Sequence, residues 1–293
     1  MTGHAVVLLL AAAALQPADA GAADAGAAGA GAAGARAAGA RWRDDPIWHD
    51  GLAEKAVYEA TRTIYGKERT YLARAYTDKE RVDPKSTVKI EDGSGVEVFK
   101  HHWSEIVPTE NYDYRFSTMA YVRTDDLSPF KLTASTQEDC GASFKELWRD
   151  REHLRWSQSV YFPGSGRSEG EFERHRDTAL FDALTLTLRD FPFDAPADLS
   201  LRVIPTQKDT HATSFEPVVG TVRYAGKSAQ DLPIGKLDVH ELDLLTPEGF
   251  VEARFWFAAD GTAPTLHALV RYEGPGGVTF RLKSLERTAY WRH

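Results

Sequence analysis

From Arg41 onward the chain alternates apolar and polar positions far more often than it repeats them every three or four residues. In LSLRVIP (199–205), Leu199, Leu201 and Val203 fall on one side and Ser200 and Arg202 on the other, the period of a half-buried strand. YDYRFSTMAYVRT (112–124) sets Tyr112, Tyr114, Phe116, Ala120 and Val122 on one face. FVEARFWFAADG (250–261), TLHALVRYEGPGG (265–277) and VTFRLKSLERTAYW (278–291) are strand-like runs parted by turn residues, the pattern of an antiparallel meander. Val218 to Tyr224 and Lys236 to Leu245 read as further strands.

KAVYEATRTIYGKERTYLARAYT (55–77) has helix-compatible composition, but its β-branched and aromatic residues on either side of Gly66-Lys67 predict a hairpin. Two segments read as helical: Phe144 to His153, and Thr178 to Asp190, the latter with Asp177 as N-cap and Pro192 beyond its end. The sum is a mainly β fold: an antiparallel curved sheet or barrel with one or two helices, the sheet wrapping a helix in one form. No strong boundary falls inside 41–293, so a single β-rich domain is expected. The polar stretch Gln207 to Pro217 reads as a loop at a pseudo-boundary.

The first forty residues break the pattern. Ala5 to Leu15 is an apolar run too short to cross a bilayer comfortably, and it leads to the small-residue site Ala18-Asp19-Ala20. Residues 1–20 therefore read as a secretory signal peptide, although MTGH carries neither Lys nor Arg. Residues 21–40, almost wholly Ala and Gly, read as a flexible linker that cannot bury enough surface to offset its ordering entropy. Export to the periplasm or the exterior follows. No other apolar run approaches membrane-spanning length, and no cysteine at the cleavage site can carry a lipid. With 43 acidic against 35 basic residues and a net charge of −8, nucleic acid is not an expected partner.

Candidate chemistry is sparse. The ten histidines show no metal spacing: His101 and His102 point to opposite faces of a strand, and HELDL (240–244) lacks a second histidine. PGSGRSEG (163–170) lacks the lysine of a phosphate-binding loop and reads as a surface loop. No metal and no cofactor is expected.

Cys140 is the single cysteine. Strand parity through PFKLTASTQEDC sets it with Phe130, Leu132, Ala134, Thr136 and Glu138, which favours a buried, inert thiol. In the alternative reading Cys140 is a nucleophile, with Gln137 as oxyanion donor and His102, His153 or His211 as base. Glu138, on the same parity, then needs a cation such as Arg115 or Arg123, or serves as an acid or base. The ligand-contact candidates are Trp103, Tyr114, Phe116 and Trp156, aromatic residues of a kind that lines either a core or a ligand-holding barrel. Trp42 and Trp48 read as closing one end of the fold.

STQEDCG (135–141) resembles the S-x-Q-E-W-C-G motif of an uncharacterised family of secreted and lipoprotein bacterial proteins. Ser135, Gln137, Glu138, Cys140 and Gly141 match, and Asp139 stands where the family usually has tryptophan. YGKER (65–69), YDYR (112–115) and RTAYW (287–291) resemble further segments of it. Members are sometimes labelled septum formation inhibitor Maf, a name that does not transfer, because the Ser-Pro-Arg-Arg-type motif of true Maf pyrophosphatases is missing. The resemblance implies an envelope protein of unknown activity. By fold-level analogy alone, the pattern is also similar to lipoprotein-carrier-like folds. The expected function is binding of an apolar, lipid-like ligand or an envelope protein partner without catalysis; the alternative is a thiol-dependent hydrolase or acyl transferase.

Overall fold

The computed structural model describes residues 41–291. The expected signal peptide and linker lie outside the described residues. The first half of the fold holds β1 (Ala53–Ile64), β2 (Lys67–Val82), β3 (Lys89–Ile90), β4 (Val96–Pro108) and β5 (Asp113–Arg123). It continues through β6 (Pro129–Glu138), β7 (Gly141–Asp150), β8 (His153–Val160) and β9 (Gly166–Glu173). After β10 (Thr178–Leu180) comes a helical segment, 181–190, in which α1 (Leu184–Thr187) is flanked by 3-10 turns. The second half holds β11 (Leu199–Ile204), β12 (Val218–Leu232), β13 (Gly235–Leu245), β14 (Val251–Ala258), β15 (Leu269–Gly274) and β16 (Val278–Thr288).

All sixteen strands join one sheet, and the fold is mainly β as its pattern predicts. Two antiparallel meanders, β11 to β16 and β1 to β9, are stitched together where the first and last strands pair, from Ala53↔Thr288 to Thr61↔Thr279. The first and last strands thus lie at the middle of the sheet, and the sheet's edges, β9 and β10, are strands from the middle of the sequence. Edge strand β9 is exposed and carries Arg167, Glu169, Glu171 and Glu173, charges that discourage pairing with another chain. The PGSGRSEG stretch is therefore only partly a loop: it turns at Gly164 and enters β9 at Gly166.

The 55–77 segment is the expected hairpin, although its turn is Tyr65-Gly66, one residue earlier than read. Both residues have positive φ, 53° and 71°, as a two-residue hairpin turn matched to strand twist requires. Phe144 to His153 is not a helix. It forms β7 and the turn into β8, with Ser143, Lys145 and Leu147 buried and Phe144 exposed. Pairing with β6 on one side and β8 on the other overrides the local helical composition. Thr178 to Asp190 is helical only from Phe181 onward.

The helical segment is largely buried, with Ala183, Leu184, Thr185, Leu186, Leu188 and Arg189 all enclosed. Phe181, Leu184 and Leu188 join one core cluster with Trp103, Phe255 and Phe280, while Leu180, Ala183 and Leu186 join a second with Phe99, Leu132 and Leu147. Full burial of Leu184 and Leu186 stabilises by roughly 2 kcal/mol each. Trp42 and Trp48 pack on Phe99 with ring centroids 5.0 and 5.1 Å away, closing the second cluster. No helix among the described residues is long and apolar enough to cross a membrane.

One buried ion pair locks the segment to the sheet. Arg189 donates from Nη2 to Glu54 Oε1 at 2.6 Å and from Nη1 to Oε2 at 3.0 Å, with both side chains almost fully enclosed. Removing one partner strands the other charge, so Glu54→Gln and Arg189→Met should each cost about 3–5 kcal/mol in urea unfolding. The double variant E54Q/R189M should cost less than the sum of the two; strict additivity would show that the pair is not coupled.

Candidate functional site

Strand parity places the site. The inner face of β1 carries Ala56, Tyr58, Ala60 and Arg62, and that of β2 carries Tyr71, Ala73 and Ala75. Its neighbour β4 turns Phe99, His101, Trp103, Glu105 and Val107 inward. A cavity of about 300 Å³ lies between Arg62 of β1, Trp103 of β4, the side chains of β14 to β16 and the helical segment.

One wall is a ladder of rings. Tyr58 stacks on Trp103 at 5.1 Å, Trp103 on Phe280 at 4.8 Å, and Phe280 on Tyr272 at 5.3 Å; Phe255 tilts against Tyr272 at 5.2 Å. Phe181, Asp182 and Thr185 approach from the helical segment, and Thr206, Lys208 and Asp209 from the chain after β11. Pro275-Gly276-Gly277 turns at the rim, where both glycines take a φ of 70° that a side chain would strain.

Charge meets the ladder at Arg62 and Lys208, which both line the cavity and share Glu105 as a partner. Glu105 is fully enclosed and receives Tyr71 Oη at 2.5 Å, Arg62 Nη2 at 3.3 Å and Lys208 Nζ. Burial pushes the Glu105 carboxyl up, but Lys208 and Arg62, with the Tyr71 hydrogen bond, outweigh it and hold the group below its ordinary value. Burial pushes the Tyr71 phenol up, and the neighbouring carboxylate pushes it further. Asp182 accepts from Thr206 Oγ1 at 2.6 Å and from the Gln207 backbone N–H at 2.8 Å; burial still leaves its carboxyl raised.

His101 also faces inward and is locked. Trp103 Nε1 donates to its Nε2 at 2.7 Å, which leaves the proton on Nδ1 to donate to Thr77 Oγ1 at 2.8 Å. Burial, reinforced by Arg189, drives its pKa down to about 3, so the ring is neutral at physiological pH. His102 points to the other face of β4 and meets Ser117 Oγ at 3.1 Å, as its adjacency predicts.

The stretch 207–217 is the loop it reads as, but parts of it turn inward. Gln207 is completely buried, donating to the carbonyls of Pro205 and Ser214 and accepting from Thr213 Oγ1 at 2.6 Å. Thr213 in turn accepts from Lys145 Nζ at 3.0 Å, and Gln158 bonds the Thr213 backbone. Polar inner-face residues of β7 and β8 thus satisfy a strap that fills the other end of the interior. Burial is the main cause that brings the Lys145 ammonium down to about 8, against the pull of Asp209 and Asp182.

The sequence-derived candidates separate into three places. Trp103 lines the cavity. Tyr114 and Phe116 belong to the same core cluster, with Phe116 under the Arg62 guanidinium at 4.2 Å. Trp156 is remote from them and stacks on Phe215 at 4.7 Å in the second cluster. Cys140 is exposed. Pairing of β6 with β7 ends at Glu138↔Gly141, so Asp139 and Cys140 are the turn, and strand parity stops one pair short of the thiol. Gln137 is exposed as well. The hydrogen-bond partner of Cys140 Sγ is Tyr112 Oη at 3.2 Å rather than a histidine. Glu138 accepts from the same Tyr112 hydroxyl at 3.2 Å, while Arg123 pairs with Asp125. Hydrogen bonding to Cys140 is the largest influence holding the Tyr112 phenol above its ordinary value.

Glu105, Arg62 and Lys208 were not singled out by sequence. Alternation in VEVFKHHWSEIVP does place Glu105 with Phe99 and Trp103, which marks a buried carboxylate. Nothing local marks Lys208 as its partner, 103 positions away. Among the described residues no group of three or more His, Cys, Asp or Glu side chains is placed to hold a metal ion.

No family model matches the chain, and no curated protein matches it. Among solved structures, the chain is similar to a beta-barrel-like protein of the domain of unknown function DUF1849 from Brucella abortus. That similarity has 8% identity and a TM-score of 0.49, over 81% of this chain and 98% of that one.

Two outcomes follow from the geometry. Lys145 holds fewer protons folded than unfolded between about pH 8 and its ordinary 10.5, so stability should rise with pH across that window. Lys145→Met should abolish that rise and stabilise the protein at pH 7 by about 1–3 kcal/mol in urea unfolding; unchanged pH dependence would show a solvated ammonium. Cys140 should react to completion with Ellman's reagent in the native protein, at a rate within tenfold of the unfolded chain; protection until unfolding would contradict its exposure.

Proposed function

We propose that the chain is a non-catalytic binding protein whose cavity receives the apolar body of a small, lipid-like ligand. The observation that carries this reading is the ring ladder from Tyr58 to Phe255 bordering about 300 Å³ of open space. Protein interiors close-pack, and a gap of this size is at the small end of ligand pockets. A single ring system or a short acyl chain suits it better than a long lipid tail.

The ionisable groups support binding over catalysis. Glu105 is held below its ordinary pKa and is correspondingly a weak base. His101 has both ring nitrogens committed to hydrogen bonds. The thiol reading needs a base beside Cys140, and the neighbouring Tyr112 retains its proton instead of taking one. In this reading the protein works in the bacterial envelope, exported by residues 1–20 and tethered by residues 21–40, as the motif Ser135–Gly141 also suggests by resemblance.

Titration with 1-aminoanthracene tests the cavity directly. The purified protein should give a saturable fluorescence rise with a micromolar Kd, and Val278→Trp, which fills the cavity from β16, should weaken it at least tenfold. A probe that does not saturate, or that binds V278W equally well, would overturn the reading.

A further inference from the structure

The charged wall narrows the ligand class, an inference that rests on the cavity being a binding site. At Glu105 one carboxylate faces two cations, Arg62 and Lys208. Their donors are not exhausted by it. Arg62 Nε is buried without a hydrogen-bond partner, and Lys208 carries two N–H groups beyond the one directed at Glu105.

The carboxylates near the wall do not take up these donors. Both Asp182 oxygens are already hydrogen-bonded, to Thr206 and the Gln207 backbone. The Asp209 carboxylate, at the cavity's edge, is half-exposed and accepts from the His211 backbone N–H, so solvent screens it. Arg62 and Lys208 therefore keep N–H donors that no carboxylate at this wall satisfies.

Position matters as much as sign. The Lys208 ammonium lies 5.7 Å from the Trp103 ring centroid and 5.4 Å from that of Phe280. The spare donors thus sit at the seam between the ring ladder and the polar wall. An apolar body laid along Trp103, Phe280 and Tyr272 carries its head to that seam. A hydroxyl head supplies one neutral acceptor oxygen, and an ammonium head supplies none and meets two like charges. A singly charged oxyanion supplies acceptors to both.

We propose that the cavity binds a monoanionic amphiphile: a carboxylate-type head held by Arg62 and Lys208, with a ring or short chain against Trp103, Phe280 and Tyr272. Glu105 is then a positioning residue that keeps the two cations together while leaving each with donors for the head.

Calorimetric titration at pH 7 and low salt with 4-phenylbutyrate, 4-phenylbutanol and 4-phenylbutylamine tests this, because the three differ only in the head. The carboxylate should bind at least tenfold tighter than the alcohol, and the amine weakest. Lys208→Met should reduce the carboxylate-to-alcohol ratio to twofold or less; Lys208→Arg should retain the ratio. Circular dichroism checks that both variants fold. An alcohol that binds as tightly as the carboxylate overturns the anion preference and leaves the apolar cavity standing. The same holds if 1-aminoanthracene binds and none of the three probes does. A tenfold preference that survives K208M overturns the assignment of the head to Lys208. If neither the three probes nor 1-aminoanthracene binds, the cavity reading fails with it.

Discussion

The Glu54–Arg189 pair is the constraint on which the arrangement of the interior depends. Glu54 lies on β1, the strand at the middle of the sheet, and Arg189 lies at the end of the one helical segment inside it. A bidentate pair fixes direction as well as distance, because the guanidinium presents two parallel N–H groups to two oxygens. With that end held, Phe181, Asp182 and Thr185 are aimed at the cavity and Ala183 and Leu186 at the opposite cluster. Trp42 covers the guanidinium at 5.5 Å, so the chain's entry into the fold also shields the pair from water.

The cavity is bounded by both meanders: Arg62 and Trp103 come from one, and Phe255, Tyr272 and Phe280 from the other. The two ends of the interior solve the same problem differently. Near Glu105, buried charge is compensated by cations that retain spare donors. Near Lys145, the strap 207–217 supplies hydroxyl and amide partners, and the space is filled. One end therefore keeps open space while the chain itself packs into the other.

Period-2 alternation made most strands legible, and it placed Tyr114 and Phe116 on one face without any knowledge of pairing. It failed where pairing, not composition, decides. Phe144 to His153 has a helical composition, but strands on both sides of it demand extended backbone. Cys140 follows strand parity only on paper, since the ladder closes at Glu138 and the next two residues turn.

Sequence alone determined the mainly β character, the hairpin at 55–77, the opposite facing of His101 and His102, and the expectation of export carried by the first forty residues. These rest on local composition and side-chain alternation, which neighbours along the chain fix. Tertiary structure alone decided that β1 and β16 meet, that Lys208 reaches Glu105, that Arg189 reaches Glu54, and that Gln207 is buried. Each of those depends on residues far apart in the chain meeting across one curved sheet, and a low-dielectric interior gives weight to a charge pairing that the linear sequence does not specify.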